Sequence, residues 1–437
     1  MKIHPPDQLL RRYLRSSGDR MPPVREHVAG CSKCSQKLEA LRVKRSTSAA
    51  YDDALTSSAR RLQDLQATYE RERVEAKGLT VELLRHPTER QRILVHNHPR
   101  FHTWGVFERL LELSRDESAE NPSLGEELAC LALDLSEHLD VARYGSEAIE
   151  DLRGRAWAYI GNARRVQSDL LGSHEALERA LVHLRQGTRE PWERAVWLDL
   201  KASLFRAQRR FEDATRLLSR ALVLFLAVGD RHRAGRTLVN MDTVLHQIGE
   251  AERGIPLLYR ALDLIDPAQE PRLLLIANHN LIDDLADTGR YMEAQRLLLK
   301  VHGLYQRVDE QWLLYRRDWV EGKIARGLGQ PDKAEELFKA ARAGFLEISA
   351  AYDVALISLD LAVLFTEQGR TVELKRLAGE MVPIFSSLHV HREALAAFTL
   401  WRQAVQAETA GLELAAQVAS SLKRARYDQT APRQDTH

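Results

Sequence analysis

The sequence predicts an all-α protein: a small helical module closed by a metal ion, followed by a long α-solenoid of elongated helix pairs. Three observations predict it. From Phe101 onward apolar residues recur at helical spacing, as in Trp104, Phe107, Leu110, Leu111 and Leu113. Four residue ladders then share one step of 40 residues. Finally, His27-Val28-Ala29-Gly30-Cys31-Ser32-Lys33-Cys34 reads H-x3-C-x2-C and gathers three soft metal ligands within eight residues.

The ladders carry most of the chain. Leu217, Leu257, Leu297, Leu337 and Leu377 form one, and Phe205, Leu245, Leu285, Ala325 and Phe365 another. Arg209, Gly249, Gly289, Gly329 and Gly369 form a third, at the turn that ends one helix, where glycine accepts positive φ. Ala214, Gly254, Ala294, Ala334 and Leu374 follow five residues later, where two helices cross closely. One helix pair cannot bury its apolar face alone, and stacking does so. The pattern resembles tetratricopeptide repeats, as in Leu285-Ala286-Asp287-Thr288-Gly289-Arg290-Tyr291-Met292-Glu293-Ala294. The resemblance implies a right-handed solenoid, here with helices longer than the usual step of about 34 requires. A weaker unit spans Gly161 to Leu184, with a shortened turn at Gly172, and a more degenerate one Phe101 to Leu139. The array then has about seven pairs.

At the front, two thiolates one loop turn apart suit a tetrahedral ion of zinc size. His27 lies one helical turn before Cys31. A Cys-x-x-Cys alone also reads as a redox pair, and oxidation would eject a metal. His4 is the candidate fourth ligand; without it the site has an open position, the arrangement of catalytic zinc. No Glu or Asp stands like a base in an H-E-x-x-H motif, so a closed structural site is expected. The stretch resembles the zinc-binding anti-sigma module of bacteria. The match is His4, His27, Cys31 and Cys34, with Asp7 to Leu14 as first helix and Val24 to Cys31 as second. Between them stands Arg15-Ser16-Ser17-Gly18-Asp19-Arg20, where that family carries an acidic turn. The resemblance implies capture of a sigma factor or a similar protein.

The chain has 437 residues, and 44% of them are hydrophobic, enough for several domains or one long solenoid. Its three cysteines allow no disulfide framework, which points to the cytoplasm; Cys130 reads as a small core residue. The first residues do not read as a secretory signal, and the longest apolar run, Ala221 to Val228, is far short of a membrane span. Residues 1 to 100 carry a net charge of +8 and the rest −7. That basic front suits an acidic partner or a solvated helix surface; no basic run is long enough for a nucleic-acid tail, and direct nucleic-acid binding is not expected.

The expected organisation is a zinc module over 1–44, a helical linker over 45–99, the solenoid over 100–390, a capping helix over 391–425 and a disordered tail over 426–437. Within the linker, the Ser/Thr/Ala-rich 45–50 reads as non-helical. Tyr51 to Lys77 reads as a helix with Leu55, Leu62, Leu65 and Tyr69 on one side, and Gly78 is expected to break it. His86-Pro87 and Asn97-His98-Pro99 read as turns.

No Walker loop, nucleophile elbow or dinucleotide fingerprint is present, so binding rather than catalysis is expected. His96, His98 and His102 bracket Pro99 and read as a polar turn more than a metal site; His389 and His391 are similar. Arg164-Arg165 and Arg316-Arg317 read as solvated pairs more than phosphate holders. In tetratricopeptide repeats the first helix of each pair lines the concave groove. The register places Arg206, Arg236, Asn240, His246, Asn280, Asp283, Arg316, Lys323 and Arg326 there. Asn can hold an extended peptide backbone and Arg its carboxylates, so an acidic or carboxylate-ended peptide is the expected ligand class. An ordinary polar helix face is the competing reading. The function expected from both parts is a cytoplasmic regulatory adaptor; the alternatives are a repeat scaffold with a purely structural zinc module, or a zinc enzyme.

Overall fold

The computed structural model describes residues 4–15, 21–118, 121–307, 311–348, 350–387, 401–403, 405–406, 413–414 and 417–418, without the side chains of 15, 22, 43–62, 65, 351 and 382–387. The described residues are helical throughout, with no strand, and fall into two compact units, residues 1–79 and 80–437.

Unit 1 starts with α1 (Asp7–Arg15), α2 (Pro22–Gly30) and α3 (Ser32–Leu84). Leu10, Val24 and Leu38, one from each helix, form its buried core, with Leu9, Tyr13 and Val28 packed alongside. Lys37 on α3 pairs with Asp7 on α1 at 2.5 Å. The expected break at 45–50 and the stop at Gly78 are both absent, because α3 is one helix of 53 residues. Alanine and long side chains dominate the stretch, proline is absent, and one glycine costs only about 1 kcal/mol in a helix. The turns at His86-Pro87 and His98-Pro99 stand as expected, flanking α4 (Thr88–Asn97).

Unit 2 stacks helices in pairs. They are α5 (Trp104–Glu117) with α6 (Pro122–Ser136), then, after the single turn α7 (Val141–Tyr144), α8 (Ser146–Val166) with α9 (Leu170–Gln186) and α10 (Pro191–Ala207) with α11 (Phe211–Ala227). They continue as α12 (Arg231–Gln247) with α13 (Ala251–Leu264), α14 (Pro271–Asp287) with α15 (Tyr291–Tyr305), α16 (Gln311–Gly327) with α17 (Pro331–Glu347) and α18 (Ala351–Glu367) with α19 (Thr371–Ser387). Among the described residues this makes seven pairs. Each first helix from α8 onward, here called an A helix, packs on its own partner, on the next A helix and on the preceding second helix.

The glycine ladder does what its chemistry predicts. Gly249, Gly289, Gly329 and Gly369 have φ between 66° and 81°, and Arg209 on the same rung is also left-handed at 58°. The small-residue ladder is buried, with Ala214, Ala294 and Ala334 at 0% exposure. The leucine ladder is shifted by one residue. Leu217, Leu257, Leu297 and Leu337 are half-buried, whereas Leu218, Leu258, Leu298, Phe338 and Ala378 are buried. One position rotates a helical side chain by about 100°, so two adjacent apolar ladders cannot share the deepest place. The turn expected at Gly172 lies earlier, at Gln167–Asp169, where Ser168 has φ 67° and Asp169 Oδ1 accepts the Gly172 N–H at 2.8 Å. Cys130 is half-buried, and burial pushes its thiol up.

Most of the expected capping helix and all of the expected tail, including His389 and His391, lie outside the described residues. Trp401, Val405 and Val418 are buried against the core of α16 to α19. No described helix is long and apolar enough to cross a membrane.

Candidate functional site

The four expected metal ligands come together. His4 precedes α1, His27 lies in the last turn of α2, Cys31 occupies the gap before α3 and Cys34 its first turn. One ligand atom from each lies within 4.8 Å of all the others. His4 Nδ1 is 3.6 Å from Cys31 Sγ and 3.3 Å from Cys34 Sγ. A tetrahedral ion with zinc's bond lengths to nitrogen and sulfur has ligand–ligand edges of roughly 3.3–3.8 Å, so these spacings fit. The His4 and His27 rings meet edge to face at 5.6 Å. His27 Nε2 is buried without a hydrogen-bond partner, an arrangement that costs free energy unless something binds it. Cys34 is buried, and that burial together with Cys31 beside it raises its thiol above the usual range. A cation between the sulfurs removes both penalties, because it binds the thiolate. The cluster contains no carboxylate.

The A-helix face differs from the expectation of free donors. Apart from Arg206, its expected donors face carboxylates of neighbouring repeats. Asn240 on α12 donates to Asp199 on α10 at 3.1 Å, and Asn280 on α14 donates to Asp242 on α12 at 3.2 Å. Lys323 on α16 donates to Asp283 and Asp287 on α14 at 2.6 and 2.9 Å. Arg316 and Arg326 face Asp353 and Asp360 on α18 at 3.7 and 3.9 Å, and Arg236 pairs with Glu270. Arg206 lies near Arg165, whose guanidinium burial and the Arg206 charge pull down to about 10. Burial alone lowers Lys323, but Asp283 and Asp287 outweigh it and hold the ammonium above its usual range. The face therefore carries matched charges. The missed carboxylates recur about one repeat from their donors, a signal the sequence does contain.

His246, Asn280, Asp283, Arg316 and Lys323 line a cavity of ≈ 220 Å³; Arg206, Arg236, Asn240 and Arg326 do not. Gln247 also lines it, buried, with neither amide atom partnered. His279 is buried against the Tyr305 hydroxyl at 2.9 Å, and burial lowers its imidazole to about 4, so it is neutral. His246 bonds Asp284 at 2.8 Å. Asp242 and Asp284, at 1% and 0% exposure, meet over Gly254, where an added Cβ would lie 2.2 and 2.6 Å from their oxygens. Burial, with each carboxylate facing others, pushes Asp242 up to about 9 and Asp284 to about 7, so the pair keeps a proton at neutral pH. His246, Asp283 and Asp287 form a second close ligand set, and the Lys323 ammonium supplies its cation.

The remaining motifs are structural. His96 and His102 meet His138 rather than His98: His96 Nδ1 is 3.1 Å from His138 Nε2, and His102 stacks on it at 4.9 Å. Arg164 pairs with Glu126, and Arg317 with Asp318.

No protein-family model and no curated protein matches the sequence. Solved structures share the fold. A Rap protein complexed with competence and sporulation factor is 14% identical, with TM-score 0.55, covering 74% of this chain and 87% of its own. Aspartyl phosphate phosphatase F from Bacillus subtilis is 13% identical, with TM-score 0.50, covering 70% and 76%. At such identity the likeness is one of fold, and it establishes the tetratricopeptide-like α-solenoid.

Proposed function

We propose that this chain is a zinc-dependent regulatory adaptor. Unit 1 holds one zinc ion through His4, His27, Cys31 and Cys34 and presents its helices to a protein partner, of which a sigma factor is the class the anti-sigma resemblance implies. Unit 2 receives a peptide or protein segment on its A-helix face, at the cavity beside Gln247, Asn280 and Arg316. The observation that carries the reading is the four-ligand cluster with its orphaned His27 nitrogen. The fold likeness to a Rap protein that holds a bound factor supports the second half. A reducing compartment such as the cytoplasm suits the thiolates.

The metal's role is structural here: it closes a module whose core, among the described residues, is three aliphatic side chains. The binding work belongs to the helices it fixes. Affinity capture with the wild-type chain, Cys31→Ser/Cys34→Ser and Arg316→Ala tests this. A partner lost only with the cysteine variant supports capture by unit 1, and one lost only with Arg316→Ala supports the A-helix face. If neither change alters any partner, the reading is wrong.

A further inference from the structure

A second cavity, of ≈ 540 Å³, is walled by residues of α8 to α11, none of which lines the A-helix cavity. Its size lies within the range of ligand sites. The apolar lining includes Leu184 and Leu198, which are buried, and Trp197 and Leu217, which are half-buried. Arg185, Arg189, Arg194 and Arg220 also line it, and all four are exposed.

These arginines are unlike their neighbours. Arg155 is taken by Glu108 and Glu193, Arg164 by Glu126, Arg210 by Asp213 and Arg236 by Glu270. Among the described residues, none of the four at the cavity has a side-chain hydrogen bond or ion pair. Of the carboxylates in the lining, Glu193 is spent on Arg155 and Asp151 is buried, which leaves Glu190 exposed. Four like charges thus surround an apolar floor with one exposed carboxylate among them.

One further observation points to a ligand. Arg189 has φ 65°, one repeat step before Gly229 at 78°. An arginine stands where glycine fits without strain, as residues held for a binding role do. Asp151, at 5% exposure, accepts the Thr188 N–H at 3.0 Å with Oδ2, and its Oδ1 packs against Gly187, so its charge is withdrawn from the cavity.

We infer that this cavity docks an acidic peptide segment of a partner protein, its apolar side chain on the Trp197 floor and its carboxylates on the four arginines. Arg–carboxylate pairs are bidentate and charge-assisted. Trp and Arg are the side chains that most often dominate such interfaces.

The test uses fluorescence anisotropy on the full chain with a fluorescein-labelled peptide of four glutamates around a central Leu-Phe pair. Wild type binds it at low salt, and binding weakens with added salt. Arg194→Glu/Arg220→Glu weakens it at least about tenfold, the effect of losing charged contacts. Arg189→Gly also weakens it, yet leaves the thermal midpoint no lower, because glycine takes that φ freely; this separates lost contact from lost fold. Arg260→Ala, at an exposed arginine that lines neither cavity, leaves the affinity unchanged. The inference is overturned if both cavity variants bind like wild type, if Arg316→Ala is the change that abolishes binding, or if pyrophosphate binds as tightly as the peptide.

Discussion

Unit 1 gathers Leu10, Val24 and Leu38 into its core and places four soft ligands beside them; unit 2 buries apolar clusters that run from each helix pair into the next. Both are helical, and the sequence builds both from amphipathic segments. The difference is what closes them. Among the described residues that core is three aliphatic side chains and supplies little burial energy, so under our proposal the short module depends on a bound ion. The solenoid depends on neighbours, since each pair covers the apolar face of the one before. A change that removes the metal should therefore leave the solenoid standing, and a core change in the solenoid should leave the metal in place.

The largest expected effect is Cys34→Ser. It removes a ligand, and in small zinc modules the metal contributes on the order of 10–16 kcal/mol to folding. Unit 1 loses its zinc and its protection from hydrogen exchange, while unit 2 keeps its helicity by circular dichroism. Next is Phe338→Ala. Phe338 is fully buried against Gly322, and the substitution should cost about 3–5 kcal/mol in urea unfolding with zinc content unchanged. Smaller again is Gly254→Ala, which pushes a methyl against Asp242 and Asp284 and should cost about 1–3 kcal/mol.

A further expected effect is a pH dependence. Asp242 and Asp284 both have folded values raised above the usual 3.8. The folded chain then binds more protons than the unfolded one. Their stabilisation is complete below pH 3.8, declines as pH rises, and is gone once pH passes the folded values of about 7 and about 9. Asp242→Asn should flatten that decline in urea unfolding across this range. An unchanged slope would show that the pair does not share a proton.

The two units were legible in the sequence for different reasons. The candidate metal ligands are local: spacing alone puts His27, Cys31 and Cys34 around the junction of α2 and α3. The solenoid is legible because a fixed step repeats, so Gly249 and Gly289 report their own backbone geometry. What escaped reading depends on partners. Arg316 and Lys323 look like free cations along the chain and become parts of charge pairs only when a neighbouring A helix brings Asp353 or Asp283 alongside. Arg185, Arg189, Arg194 and Arg220 come from three elements, and nothing in the sequence says that no carboxylate meets them. Gly78 failed as a stop because a single residue's propensity is weaker than a long favourable helix.

The central claim is that unit 1 is closed by one zinc ion on His4, His27, Cys31 and Cys34. Its most direct test is the zinc-to-chain ratio of protein purified under reducing conditions, measured by plasma mass spectrometry beside Cys31→Ser and His4→Ala. A closed four-ligand site predicts about one zinc per wild-type chain, none in Cys31→Ser and weakened retention in His4→Ala. A wild-type chain without zinc, or a ratio that neither substitution changes, would contradict it.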